Sequence, residues 1–322
     1  MTSTKVISGS ADVVPWRAAG LRYFSYNLYL RKRFGERVQR VSVDGKFTCP
    51  NVDGTVATGG CNFCDNSSFS PSRRLGPRLD IVGQIEEGIR RVAHRYDCRK
   101  FIAYFQPGTN TYGPVDRLRN LYQQAISHPQ IVGLAISTRP DCAEPPILDL
   151  IAEIAADTYV CVEYGLQTIH DRSLEWMNRG HHYDAFLNAV ALSRGRGFEV
   201  AAHVILGLPG ETRDHMLASA REIARLQIDG VKLHNLYVVK NTVLADQLQR
   251  GEVRLMERAE FVQTVVDFIE LLPPTTRIER IGGEAPTDSF IGPAWSLDKA
   301  GLLRAVGEEF ERRNSWQGKR WE

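Results

Sequence analysis

At 322 residues, with 43% hydrophobic and 24% charged side chains, the chain has the balance of an ordinary globular protein with a sizeable core. No apolar run approaches the roughly 18–20 residues that cross a bilayer, and the opening MTSTKVISGSADVVPW lacks the basic start and apolar stretch of a secretory leader. A cytoplasmic protein with no membrane partner is expected, so its six cysteines need a reading other than disulfides; a net charge of +2 excludes little.

Residues 17–40 carry Arg17, Arg22, Arg31, Lys32, Arg33, Arg37 and Arg40 against Glu36, with Tyr23, Phe24, Tyr26 and Tyr29 interleaved. The tyrosines fit an amphipathic helix packed on the body of the protein. Arg31, Lys32 and Arg33 offer charge to nucleic-acid phosphates and form a candidate substrate-binding patch. Next, 38–43 predicts a strand, followed by a Gly- and Cys-rich loop and a helix over 81–96. Strands then alternate with helices: 100–105, 115–127, 131–137, 145–156, 158–166, 183–194, 199–206, 213–226 and 230–238. Each strand is apolar along its whole length, as when helices cover both faces of a parallel sheet. Six such βα units with right-handed crossovers predict a partial (β/α)6 barrel of TIM type, with working residues where strands end and loops begin. After residue 240 the pattern loosens into a helix over 257–271, a candidate strand over 277–281 and a charged helix over 297–312. The expected organisation is an N-terminal basic and aromatic extension (1–37), the barrel (38–255) and a small C-terminal cap (256–322).

Cys49, Cys61 and Cys64 fall in the loop after the first strand, spaced C-x11-C-x2-C, with Gly54, Gly59 and Gly60 letting it fold back. Thiolate-only ligation suits an iron–sulfur cluster or zinc. Structural zinc asks for four ligands, and no fourth Cys or His lies close in sequence; three thiolates on a four-iron cluster leave one iron open for a cofactor or substrate. Cys98, Cys142 and Cys161 are isolated, and Cys161 reads as a small core residue.

A three-cysteine loop after the first strand of a six-unit barrel resembles the radical S-adenosylmethionine (SAM) superfamily. The CPN-x-DG…GGC-x-FC loop (49–64), YFQ…TNTY (104–112), TRPDC (138–142), GLQT (165–168), NRGH (178–181) and HVILGLPGET (203–212) resemble one bacterial family within it, related to the catalytic subunit of Elongator. The resemblance implies a [4Fe–4S] cluster on Cys49, Cys61 and Cys64 and SAM bound beside it. It implies cofactor contacts from Phe63, Gln106, Asn110, Thr111, Thr138, Arg139, Glu163, Gln167, Arg179 and His203. No residue is singled out as catalytic. His234, Asn235, Lys240 and Glu284 are substrate candidates because polar groups at the mouth face that space. The implied reaction is reductive cleavage of SAM to a 5′-deoxyadenosyl radical, with an electron donor such as flavodoxin or ferredoxin, acting on a tRNA wobble uridine side chain. A small metabolite or protein substrate is the alternative, and a non-catalytic iron–sulfur or zinc protein leaves the SAM motifs without purpose.

Overall fold

The computed structural model describes residues 15–65, 79–283 and 287–322. Its frame is one sheet in the order β1 (Val38–Val43), β2 (Lys100–Phe105), β3 (Ile131–Thr138), β4 (Tyr159–Gln167), β5 (Glu199–Leu206), β6 (Gly230–Asn235) and β7 (Arg277–Ile281), every neighbour parallel. The predicted α/β partial barrel is therefore present, and 277–281 completes a seven-stranded sheet. The strand expected over 230–238 ends at Asn235. Beyond it Val238–Val239 leaves the sheet and pairs antiparallel with Phe290–Gly292.

Alternation sets the two faces of the sheet. Phe101, Ala103 and Phe105, with Val160, Val162 and Tyr164, point outward into the main core. The crossover helices α2 (Ile81–Tyr96), α3 (Val115–Ile126), α4 (Pro145–Ala155), α5 (Tyr183–Ser193) and α6 (Arg213–Arg225) bury their apolar stripes there. Helix α2 starts where the Asp80 side chain accepts from Gly83 N at 2.8 Å, and α6 where Thr212 and His215 cap each other reciprocally.

Inward-pointing Ile102, Tyr104, Ala135, Tyr159, Cys161 and Ala201 form a second core with Leu30 of α1 (Tyr26–Phe34). Helix α1 begins at the Ser25 cap and ends at Gly35, whose φ of 76° permits its amide to reach Arg31 O at 2.9 Å. It closes the end of the barrel from which the strands start, beside the edge strands β1 and β7. The C-terminal segment fastens it there. Buried Gln317 accepts from Phe24 N at 2.8 Å and donates to Pro273 O and Thr276 O, and Ile278 N donates to Phe24 O. Helices α7 (Arg258–Glu270) and α8 (Lys299–Arg312) pack on each other and extend the outer layer. Among the described residues no helix is long and apolar enough to cross a membrane.

Candidate active site

Cys49, Cys61 and Cys64 line one cavity of about 630 Å³ at the end of the barrel where the strands finish. Their loop is pinned to the 176–180 segment. The Asn51 side chain donates to Asn178 O at 2.5 Å, Asn178 donates to Gly60 O at 2.8 Å, and Asn62 N reaches Met177 O at 2.9 Å. A Cβ on Gly180 would stand 2.4 Å from Asn51 Oδ1, so this close approach requires glycine. The NRGH motif therefore holds the cysteine loop in place.

The donor set fits an iron–sulfur cluster. Arg179 Nη1 and Asn51 Nδ2 both donate to Cys61 Sγ, at 3.5 and 3.6 Å, and such contacts stabilise thiolate sulfur on iron. Burial pushes the Cys64 thiol far up, and neighbouring Cys61 and Cys49 push it the same way, so its ionisation calls for a cation among them. Among the described residues no three His, Cys, Asp or Glu side chains surround a single ion's position. A cubane makes no such demand, because each thiolate takes its own iron.

Phe63, Gln106, Thr138, Arg139, Gln167, Arg179 and His203 line the same cavity. Gln167 closes β4 at φ 67°, beside an irregularity in the β4–β5 register. Arg179 Nη2 donates to Gly165 O at 2.9 Å, and a Cβ there would stand 2.7 Å from Nη2 and 2.8 Å from Gln167 Nε2. The fork of Arg139 is already engaged by Asp141, at 2.9 and 2.7 Å, which leaves the buried Nη1 without a partner among the described residues.

Three other candidates stand behind the wall. Asn110 donates to Ser137 O at 2.8 Å, and Thr111 bonds Thr138 Oγ1 and Cys142 O, so both brace the end of β3. Glu163, fully buried, lies under the cavity floor within an inward-facing ionic layer. It contacts Arg40 at 2.7 Å, His203 Nε2 at 2.9 Å and Lys232 Nζ, while Arg40 also reaches Glu279 at 2.6 Å. Burial would raise the Glu163 carboxyl, but Arg40, Lys232 and His203 outweigh it and hold the carboxyl well below its usual range. Burial pulls Lys232 down to about 8, against the opposing pull of Glu163.

Of the substrate candidates, His234 and Asn235 line the cavity, although Asn235 is engaged by Ser296 and Gly283 N. Lys240 is exposed outside the cavity lining and donates to Asp288 O at 2.8 Å; Glu284 lies outside the described residues. Arg31, Lys32 and Arg33 are not brought to the mouth. They ride on α1 at the opposite end, where Arg33 covers the Tyr159 ring at 4.8 Å and meets Glu199 at 3.5 Å. Tyr23, Tyr26 and Tyr29 pack inward as the amphipathic reading expects. Tyr104, Lys232 and Arg280 line the cavity and were missed; a lysine inside an otherwise apolar strand was the available signal for Lys232.

An open parallel barrel bearing a three-thiol loop beside a cofactor-sized cavity defines a cluster-dependent class of enzyme. The Radical SAM superfamily model matches residues 54–223, and the Radical_SAM C-terminal domain model matches 228–312; the chain belongs to the radical SAM superfamily. It is similar to the uncharacterized protein YtqA of Bacillus subtilis, 39% identical over 95% of this chain and 94% of that one. It is also similar to human Elongator complex protein 3, 30% identical over 66% of this chain and 42% of that protein. The solved archaeal Elp3 of Methanocaldococcus infernus shares the fold at a TM-score of 0.65, with 19% identity over 87% of this chain and 64% of that one. The chain is thus a radical SAM enzyme, and its cofactors are a [4Fe–4S] cluster and SAM.

Proposed function

We propose that this enzyme modifies the side chain of a tRNA wobble uridine. The observation that carries the reading is the 30% identity to Elongator complex protein 3 across two-thirds of the chain, together with the long cysteine loop noted in the sequence. In this reading Cys49, Cys61 and Cys64 hold the cluster, and Phe63, Gln106, Thr138, Gln167, Arg179 and His203 surround SAM. When bound and reduced by a donor such as flavodoxin or ferredoxin, these cofactors would supply the chemistry of hydrogen-atom abstraction from the substrate. The barrel wall would keep water from the reacting end of SAM, and Arg179 would fix one edge of its pocket through Gly165 O.

A cavity of about 630 Å³ suits a cofactor and one base-sized group, so an RNA substrate must present a splayed nucleotide. Because Arg31, Lys32 and Arg33 sit at the closed end, the RNA contacts in this proposal belong to the mouth instead. The test is a nucleoside profile of tRNA from cells lacking the protein. A wobble-uridine nucleoside should change, and the parent chain should restore it where a Cys61→Ala variant does not. An unchanged profile would move the reading to a metabolite or protein substrate.

A further inference from the structure

Among the described residues the inward-facing cations of the barrel are paired with one exception. Arg40 has Glu163 and Glu279, Lys232 has Glu163, and Arg277 has Glu199 and Glu279. Arg280 lines the cavity and has no hydrogen-bonding or ion-pair partner among the described residues. Its position is built by a register shift. Between Val231 and Lys232 the β6–β7 ladder slips, so Lys232 stands opposite Arg280 and both Glu279 and Arg280 turn inward. In a regular strand adjacent residues face opposite sides; bulges re-aim side chains in this way beside active sites.

Beside Arg280 stand His234 and Lys232, and the His203 ring lies 5.4 Å from that of His234. The buried Nε2 of His234 has no partner among the described residues. Burial lowers the pKa of both histidines and Lys232 acts in the same direction, outweighing the opposing pull of Glu163, so the His234 ring offers a hydrogen bond and no charge. The site thus holds one unanswered positive charge. Beneath it lie the paired layer of Glu163 and Lys232 and then α1, so it is a dead end that a terminal group can enter and a through-running phosphodiester chain cannot. A guanidinium fork matches the two oxygens of a carboxylate.

We infer that Arg280, with His234, forms a subsite for a terminal carboxylate on the substrate, held on the β6–β7 wall of the cavity. This deepens the proposed function and rests on it for the assignment of SAM to the remaining wall.

The test uses cluster-reconstituted protein with SAM present and two acid–amide pairs: 5-carboxymethyluridine with its primary amide, and N-acetylglycine with its primary amide. Ligand-observed NMR titrations should show the parent preferring acid over amide by about tenfold or more, as for a charge-assisted bond in a half-buried site. Arg280→Gln should erase the preference and Arg280→Lys should keep part of it. Iron content and SAM affinity by equilibrium dialysis should stay at parental values in both variants. Acid preference in the uridine pair, lost in Arg280→Gln, supports the subsite and the uridine reading together. The same result confined to the acetylglycine pair leaves the subsite standing and counts against uridine. No acid preference in either pair, or a preference that survives Arg280→Gln, overturns the subsite, while uridine binding alone would leave the RNA reading intact. A matching loss of SAM affinity in Arg280→Gln also overturns it, because Arg280 would then serve the cofactor.

Discussion

Among the described residues, replacing Glu163 with Gln removes the only carboxylate that Lys232 contacts and one of two that Arg40 contacts. Glu163 has no exposed surface, so water cannot take over its role. Stripping one partner from a buried ion pair costs ~3–5 kcal/mol. Two features place this variant at the low end. Arg40 keeps Glu279 at 2.6 Å, and Lys232, already near 8, can shed its proton at ~1.4 kcal/mol per pH unit. A loss of ~3 kcal/mol at pH 7 is expected, read by anaerobic pulse proteolysis in urea. The sign of its pH dependence follows from the folded state. The Glu163 carboxyl lies below its ordinary 4.5, so its stabilisation is fully present above that value and disappears as pH falls through the folded pKa. The gap between parent and variant should hold from neutrality to about pH 5 and narrow in stronger acid. Between about 8 and the ordinary 10.5, the folded parent holds fewer protons on Lys232 than the unfolded chain, so its stability rises with pH across that window. A gap under ~1 kcal/mol at pH 7, or one that does not shrink in acid, refutes the buried-pair account.

Cys49→Ala, Cys61→Ala and Cys64→Ala should each lose the approximately four irons per chain of the reconstituted protein, whereas Cys161→Ala keeps them; iron analysis and the broad visible absorbance decide it. Gly165→Ala drives a methyl to 2.7 Å from Arg179 and 2.8 Å from Gln167, so SAM affinity by equilibrium dialysis should fall with iron content intact. Unchanged affinity would contradict the placement of those two side chains at SAM. Trp16→Ala removes a fully buried ring whose Nε1 donates to Pro274 O at 3.0 Å, and should cost ~3–5 kcal/mol in the same urea assay; a neutral result would detach the N-terminal segment from the core.

The strands and the cysteine loop were legible because unbroken apolar runs and thiol spacing are local properties. Charge in the barrel interior was not. Arg40 belongs to a run of basic residues that reads as a nucleic-acid patch, yet β1 turns it inward onto Glu163 and Glu279. Arg31, Lys32 and Arg33 share that run but sit on α1 at the closed end, a location that composition does not encode. Asn110 and Thr111 carry the right chemistry in the right loop, but both spend it on the end of β3. Arg280 could not be read at all. Alternation from Glu279 would send one of the two outward, and only the slipped ladder with β6 turns both in.

The fastening of α1 by Gln317 has a consequence for biosynthesis. Residues 24 and 317 lie 293 positions apart, so the helix that closes the barrel cannot be secured until residue 317 has left the ribosome. Until then the inward cluster around Tyr104 and Tyr159 and the ionic layer lie open to water. Closure is therefore a late, long-range event in folding. Truncation before Gln317, remote from the cysteine loop in sequence, should yield chains that aggregate during expression before any cluster can be loaded.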